Sequence, residues 1–154
     1  MTIKHLICSV YFGIGLLASS GFAHAQMIAT FQPLKFGTIA IRNLTDMTEI
    51  TVNGNGTFTT NANTFLIEDP QRGEYHITGA PVSTAYSVTF PASVSLTGAG
   101  GNFTLDNFTT FPAILTTSAI GEATFFIGAR NRSTGGVTYG DGAYNDTFNI
   151  TVNY

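Results

Sequence analysis

The residues best suited to chemistry in this sequence are Glu74 and His76, two positions apart in an alternating run. Residues at i and i+2 of a strand share a face, so the carboxylate could orient the imidazole as a general base. No serine or cysteine stands in a recognisable nucleophile motif. Tyr75 and Ile77 would point inward while Glu74, His76 and Thr78 face water. The pattern therefore favours an ordinary solvated strand face, and we expect no enzyme.

Metal-binding residues are sparse. His76 is the only histidine after residue 25, and Cys8 is the only cysteine of the chain, so a structural zinc site is not expected. Glu68, Asp69 and Asp141 lie beside turn residues but do not match a calcium-loop spacing. We expect neither a metal nor a cofactor.

A third possibility is a sugar-binding platform. Exposed aromatic rings beside Asn102, Asp106 and Asn107 would suit a glycan, but phenylalanines in a β-domain without disulfides more often form the core. The pattern therefore favours core aromatic residues, and glycan binding is the less favoured interpretation of them. The aromatic residues concerned are Phe103, Phe108, Phe111, Tyr75, Tyr86 and Tyr139.

The N-terminal segment points to secretion. Residues 1–25 carry Lys4 and His5, an apolar run, and small residues ending in Ala23-His24-Ala25, which is the layout of a secretory signal peptide cleaved before Gln26. The apolar run is too short to predict a transmembrane segment. Six lysines and arginines against nine carboxylates give a net charge of −3, with no basic stripe to bind nucleic acid. We expect one domain over residues 26–154, located at the bacterial surface.

The elements that must position these residues are strands. Apolar and polar residues alternate with a period of two, and no convincing helix is found. Asn53-Gly-Asn-Gly56 predicts a tight hairpin turn. Many short strands in one domain indicate an all-β fold, an immunoglobulin-like β-sandwich. The predicted strands are 27–31, 34–39, 47–53, 57–60, 64–68, 74–78, 85–90, 93–96, 102–105, 123–128, 136–139 and 144–154.

Residues 144–154 form the clearest of these strands. Tyr144, Phe148, Ile150, Val152 and Tyr154 share one face with Asp146, and the alternating Asn and Thr residues share the other. We call residues 144–154 the closing segment. Because the sequence stops on this strand, we expect it to lie at a sheet edge that another chain can use.

Two stretches resemble a known group. Gly73-Glu-Tyr-His-Ile-Thr-Gly79 with Ala85-Tyr-Ser-Val-Thr-Phe-Pro91, and the run from Gly142 to Tyr154, resemble the spore-coat-U and archaic chaperone–usher pilin group. Leu34-Lys-Phe-Gly-Thr38 and Phe125-Phe-Ile-Gly128 resemble a neighbouring family of secreted bacterial proteins, domain of unknown function 4402.

The resemblance implies a structural function. Pilins of this group are sandwiches that lack their last strand, and the N-terminal extension of the next subunit fills the groove after a periplasmic chaperone and an outer-membrane usher have handled the subunit. The fibre is then a head-to-tail chain of copies of one subunit. The carboxylate of Tyr154 corresponds to the place that the chaperones of the group hold.

Residues 26–32 are the candidate donor strand, offering Met27, Ala29 and Phe31 or the alternating set Ile28 and Thr30. The alternative is that residues 27–31 form the first strand of a self-complete secreted sandwich, which binds a surface glycan or a matrix component.

Overall fold

A computed structural model of the chain describes residues 26–154, so the predicted signal peptide at 1–25 lies outside the described residues. Within 26–154 the protein is all-β and contains no helix, and none of its elements is a helix able to span a membrane. Its strands are β1 (Met27–Gln32), β2 (Thr38–Ile41), β3 (Glu49–Val52), β4 (Phe58–Thr60), β5 (Thr64–Glu68), β6 (Gly73–Thr78), β7 (Ser87–Thr89), β8 (Val94–Leu96), β9 (Phe103–Phe111), β10 (Ala123–Arg132) and β11 (Thr151–Asn153).

The main sheet is organised around β10, the longest strand. Its first half pairs with β6 and its second half with β3, while β9 pairs with β10 along the opposite side. β1 extends the sheet beyond β6, β4 extends it beyond β3, and β8 extends it beyond β9. All these pairs are antiparallel. Because β1 stands at the end of the strand order, beside β6, it is an edge strand of the main sheet.

The core lies on one face of this sheet because the alternating apolar residues of β6 and β10 point to the same side. Tyr75 and Ile77 from β6 meet Phe125 and Ile127 from β10, and all four are buried. The Tyr75 and Phe125 rings stack with centroids 5.5 Å apart. Glu74, His76 and Thr78 lie on the opposite, outer face, as the sequence predicted.

A second layer covers this core. β7 and β11 form a two-stranded antiparallel sheet, and their Val88 and Val152, together with Ile150, pack against the core residues of the main sheet. β2 and β5 form a further antiparallel pair. The all-β prediction is confirmed, and the two layers are compatible with a sandwich; the immunoglobulin-like strand order stays a prediction.

The predicted hairpin at Asn53-Gly-Asn-Gly56 is found between β3 and β4. The Asn53 amide donates to the Thr57 carbonyl at 2.8 Å, and Gly56 has a φ of 92°, a conformation that glycine adopts without strain. The strand predicted at 136–139 is not found, because Tyr139 makes only one isolated bridge, to Gly100. β9 and β10 run further than predicted, to Phe111 and Arg132.

Candidate assembly site

The candidate donor residues lie on β1, whose register with β6 assigns each side chain to a face. Directly opposed residues of antiparallel strands share a face. Ile28 lies opposite the buried Ile77, and Ala29 lies opposite His76 on the outer face. Met27 and Ala29 therefore point away from the core, and Ile28 and Thr30 point toward it. Phe31 lies in an irregularity of the register between Thr30 and Gln32, and its ring reaches the outer face, where it meets His76. The two large side chains of this first donor set are exposed, Met27 by 60% and Phe31 by 73%.

Two side-chain contacts attach β1 to the rest of the sheet. The Phe31 ring is stacked on the His76 imidazole with centroids 5.0 Å apart and 7° between the planes. The imidazole is positioned in turn by Glu74, whose Oε1 lies 3.0 Å from His76 Nε2. Gln32 adds a bond from its Nε2 to the Arg72 carbonyl at 2.9 Å. The carboxylate–histidine pair that the sequence suggested is thus formed, and its aromatic neighbour is Phe31.

The closing segment has the predicted alternation of burial but only part of the predicted strand. Tyr144, Phe148, Ile150 and Val152 are half-buried, whereas every residue of the alternate set is exposed. Tyr154, 43% exposed, lies against the core residue Tyr86 with ring centroids 5.9 Å apart. Burial raises the pKa of both phenols, so both are neutral at physiological pH. The period-two pattern therefore identified the buried face correctly.

Pairing of the closing segment is one-sided and interrupted. β11 pairs with β7 through Val152 and Val88, and the Asn145 amide bonds to the Thr97 carbonyl at 3.2 Å. Between these points the closing segment separates from residues 85–97 of the same chain. Residues 146–150 therefore form no strand, and the prediction of a strand over 144–154 was wrong there. The gap is a cavity of about 430 Å³ lined by Thr89, Phe90, Pro91, Ser93, Val94, Thr147, Phe148, Asn149 and Thr151.

The other edge of the closing segment is unpaired. Within residues 26–154, its main chain bonds to the chain segment 85–97 and makes no strand pairing on its opposite side. Ile150 and Val152 of the closing segment are half-buried and pack against the core. An extended peptide could therefore pair with this edge and cover apolar side chains at once.

The start of the closing segment is fixed by aromatic contacts. The Tyr144 ring meets Phe103 edge-on with centroids 4.9 Å apart, and its hydroxyl donates to the Ala99 and Gly140 carbonyls. Phe148, further along, lies 5.0 Å from Phe108. These contacts anchor the segment through its side chains, even where no strand pairing holds it.

The sugar platform suggested by the sequence is not assembled on the surface. Phe103, Tyr75 and Tyr86 are buried in the core, and Phe108 and Tyr139 are half-buried. Phe111 is the exposed member of the set, and it faces Phe126 of β10 on the outer face. Within residues 26–154, Glu68, Asp69 and Asp141 belong to no group of three or more His, Cys, Asp or Glu side chains that could hold a metal ion.

An ion-pair network on the outer face was missed by the sequence analysis. Arg130 binds Asp106 through both carboxylate oxygens, at 2.8 and 3.1 Å, and Arg132 reaches the same carboxylate at 2.8 Å. The hydrogen bond from Arg130, followed by the charges of both arginines, lowers the pKa of Asp106. The alternation Arg130-Asn131-Arg132 was the available signal, since it places both arginines on one strand face.

Comparison with known proteins gives one match. A family model described as "Domain of unknown function (DUF4402)" matches residues 27–154. No curated protein and no solved structure matches the chain.

Proposed function

Because the chain belongs to the family described as Domain of unknown function (DUF4402), a description that assigns no activity, we propose a function from the strand geometry. The protein is a structural subunit of a bacterial surface fibre, and its copies are joined by donor-strand exchange. Residues 26–32 of one subunit pair with the unpaired edge of the closing segment of the next subunit.

The observation that carries this proposal is the one-sided pairing of the closing segment. Within residues 26–154 its main chain pairs with residues 85–97 and with no strand on the other side, and its half-buried Ile150 and Val152 pack against the core. An added strand would gain roughly 1 kcal/mol for each main-chain hydrogen bond. It would also cover apolar surface at about 25 cal/mol per Å². A second copy of the chain offers such a strand.

The donor is supported by the state of β1. An edge strand with exposed Met27 and Phe31 can leave its own sheet without opening the core. If both side chains became fully buried in a neighbour's groove, the gain would be up to about 3–6 kcal/mol before ordering costs. Since the contact is head-to-tail, repetition gives an open filament.

The partners follow from this assembly. A subunit with an open apolar edge needs protection before it meets the next copy, because unpaired strand edges aggregate. We infer a periplasmic chaperone that covers the closing segment and an outer-membrane usher that orders the exchange, with the finished fibre at the cell surface. The proposed function is structural, without catalysis, and involves no nucleic acid.

The test is a denaturing gel of the native, surface-extracted protein, with and without boiling. Strand-exchanged fibres are kinetically stable, so the unboiled sample should form a ladder that boiling reduces to a monomer band. Subunits that lack residues 26–32 should give no ladder. A monomer band in both wild-type lanes would contradict the proposal.

A second candidate function is supported by the pairing of β1 with β6 in the same chain. If β1 stays there, the domain is self-complete, and it would act as a secreted monomer that binds a surface glycan or a matrix component. A monomer band together with a positive glycan-array signal would favour this alternative.

A further inference from the structure

We propose that the pairing of β1 with β6 is an autoinhibited resting position of the donor strand, stabilised by the stacking of Phe31 on His76. We call this arrangement the cis position. The inference rests on the proposed donor-strand exchange and adds its regulation: a subunit donates only after β1 has left β6. It concerns the outer face of the main sheet, apart from the closing segment.

The cis position is well defined. Met27, Ala29 and Gln32 lie opposite Thr78, His76 and Glu74. Beyond β1, the Lys35 and Gln71 main chains exchange two hydrogen bonds of 2.8 Å. The pairing therefore continues on both sides of Pro33, which cannot donate a hydrogen bond. β1 can separate upstream of this proline while the Lys35 pair stays closed.

Few side-chain contacts hold β1 in place. Its residues from Met27 to Phe31 are all exposed, so main-chain hydrogen bonds supply most of the attachment of β1 to β6. Besides the Gln32 bond to the Arg72 carbonyl, the side-chain contact is that of the Phe31 ring, which lies parallel to the imidazole of His76. Because Glu74 fixes that imidazole by a 3.0 Å contact, the ring under Phe31 is already oriented. Loss of this stack should therefore shift β1 toward its released state.

The cis position and donation exclude each other. While β1 is paired with β6, the Phe31 ring lies on His76 and cannot enter a neighbour's groove. A mutation that weakens the stack should accordingly speed assembly. A mutation that fixes β1 to β6 should prevent donation while leaving the closing segment free to accept.

The first experiment compares His76→Ala with His76→Phe, which keeps an aromatic ring, and with Thr124→Ala as the matched control. Thr124 lies opposite His76 on β10, the side of β6 away from β1. We expect His76→Ala to raise both amide hydrogen exchange in β1 and the polymerisation rate about 2- to 10-fold, the factor that corresponds to an aromatic stack. His76→Phe and Thr124→Ala should behave like the wild type.

The second experiment fixes the strand with Met27→Cys and Thr78→Cys, which are directly opposed and away from the stack. The double variant is mixed with subunits that lack residues 26–32, which can accept a donor strand but cannot provide one. The oxidised double variant should donate no strand to these subunits, and reduction of its disulfide should restore donation. Two results would overturn the cis position and leave the fibre proposal intact. One is a wild-type ladder with the same rates of β1 amide exchange and polymerisation in His76→Ala as in the wild type; the other is donation by the oxidised variant. Absence of polymers from wild type and all variants would overturn both.

Discussion

Deletion of residues 26–32 separates the two functions most sharply. The deletion removes β1 and no residue of the core, since the buried side chains of the main sheet come from β3, β6, β9 and β10. We expect the shortened subunit to fold and to accept a donor strand, but to donate none. In the alternative function the same deletion should destabilise a monomer.

The expected loss of stability is small. Met27, Ile28 and Phe31 are 60%, 36% and 73% exposed, so their partial burial contributes roughly 2–4 kcal/mol. Main-chain bonds to β6 contribute about 5 kcal/mol more, whereas ordering the strand costs about 6–12 kcal/mol of backbone entropy. These contributions largely offset each other, and we expect the deletion to lower the free energy of unfolding by no more than about 3 kcal/mol.

The assay is urea unfolding of the monomer, followed by the gel ladder. Ile77→Ala is the reference, because this fully buried residue of β6 should cost about 2–5 kcal/mol. Shortened subunits added to wild-type protein should also shorten the ladder, since each terminates a growing chain. A deletion more destabilising than Ile77→Ala, or one that leaves the ladder unchanged, would refute the reasoning.

Three further predictions concern the rest of the fold. Phe125→Ala removes a fully buried ring stacked on Tyr75 and should lower the free energy of unfolding by about 3–5 kcal/mol in urea. Gly128→Ala would place a Cβ 2.2 Å from the Val52 carbonyl oxygen, so we expect little folded protein by circular dichroism. Asp106 has a folded-state pKa below its unfolded value, so its contribution is present above about pH 4 and is lost as pH falls through the folded-state pKa. Asp106→Asn should flatten that acid dependence of the melting temperature.

The parts of the fold that depend on local sequence were predicted well. The turn at Asn53 needs only residues that accept its backbone conformation, and β6 shows its buried face in a strict alternation. The ends of β9 and β10 were missed because Asp106 and Arg130 are polar, as turn residues are. Their pairing across strands is a long-range contact that no local pattern reports.

The candidate site was predicted in its faces but not in its pairing. The alternation from Tyr144 to Tyr154 identified the side chains that approach the core, because periodicity records burial. It could not show that the closing segment separates from its neighbouring segment near Phe90, where a cavity lies in place of strand pairing. Nor could the sequence of β1 show which strand it joins, because the pairing of Met27–Gln32 with β6 is a long-range contact that the pattern within β1 does not encode.

The proposed exchange of β1 between two edges would let assembly proceed without a new fold. Leaving β6 exposes main-chain groups there, and pairing with a neighbour's closing segment satisfies a comparable number, so the hydrogen bonds nearly balance. The edge that is uncovered carries Glu74, His76 and Thr78 on its outer face, which tolerate water. The edge that would be covered belongs to the segment that carries the half-buried Ile150 and Val152. Apolar burial would therefore set the direction of the proposed exchange, and Phe31, which is largely exposed in the cis position, would gain the most.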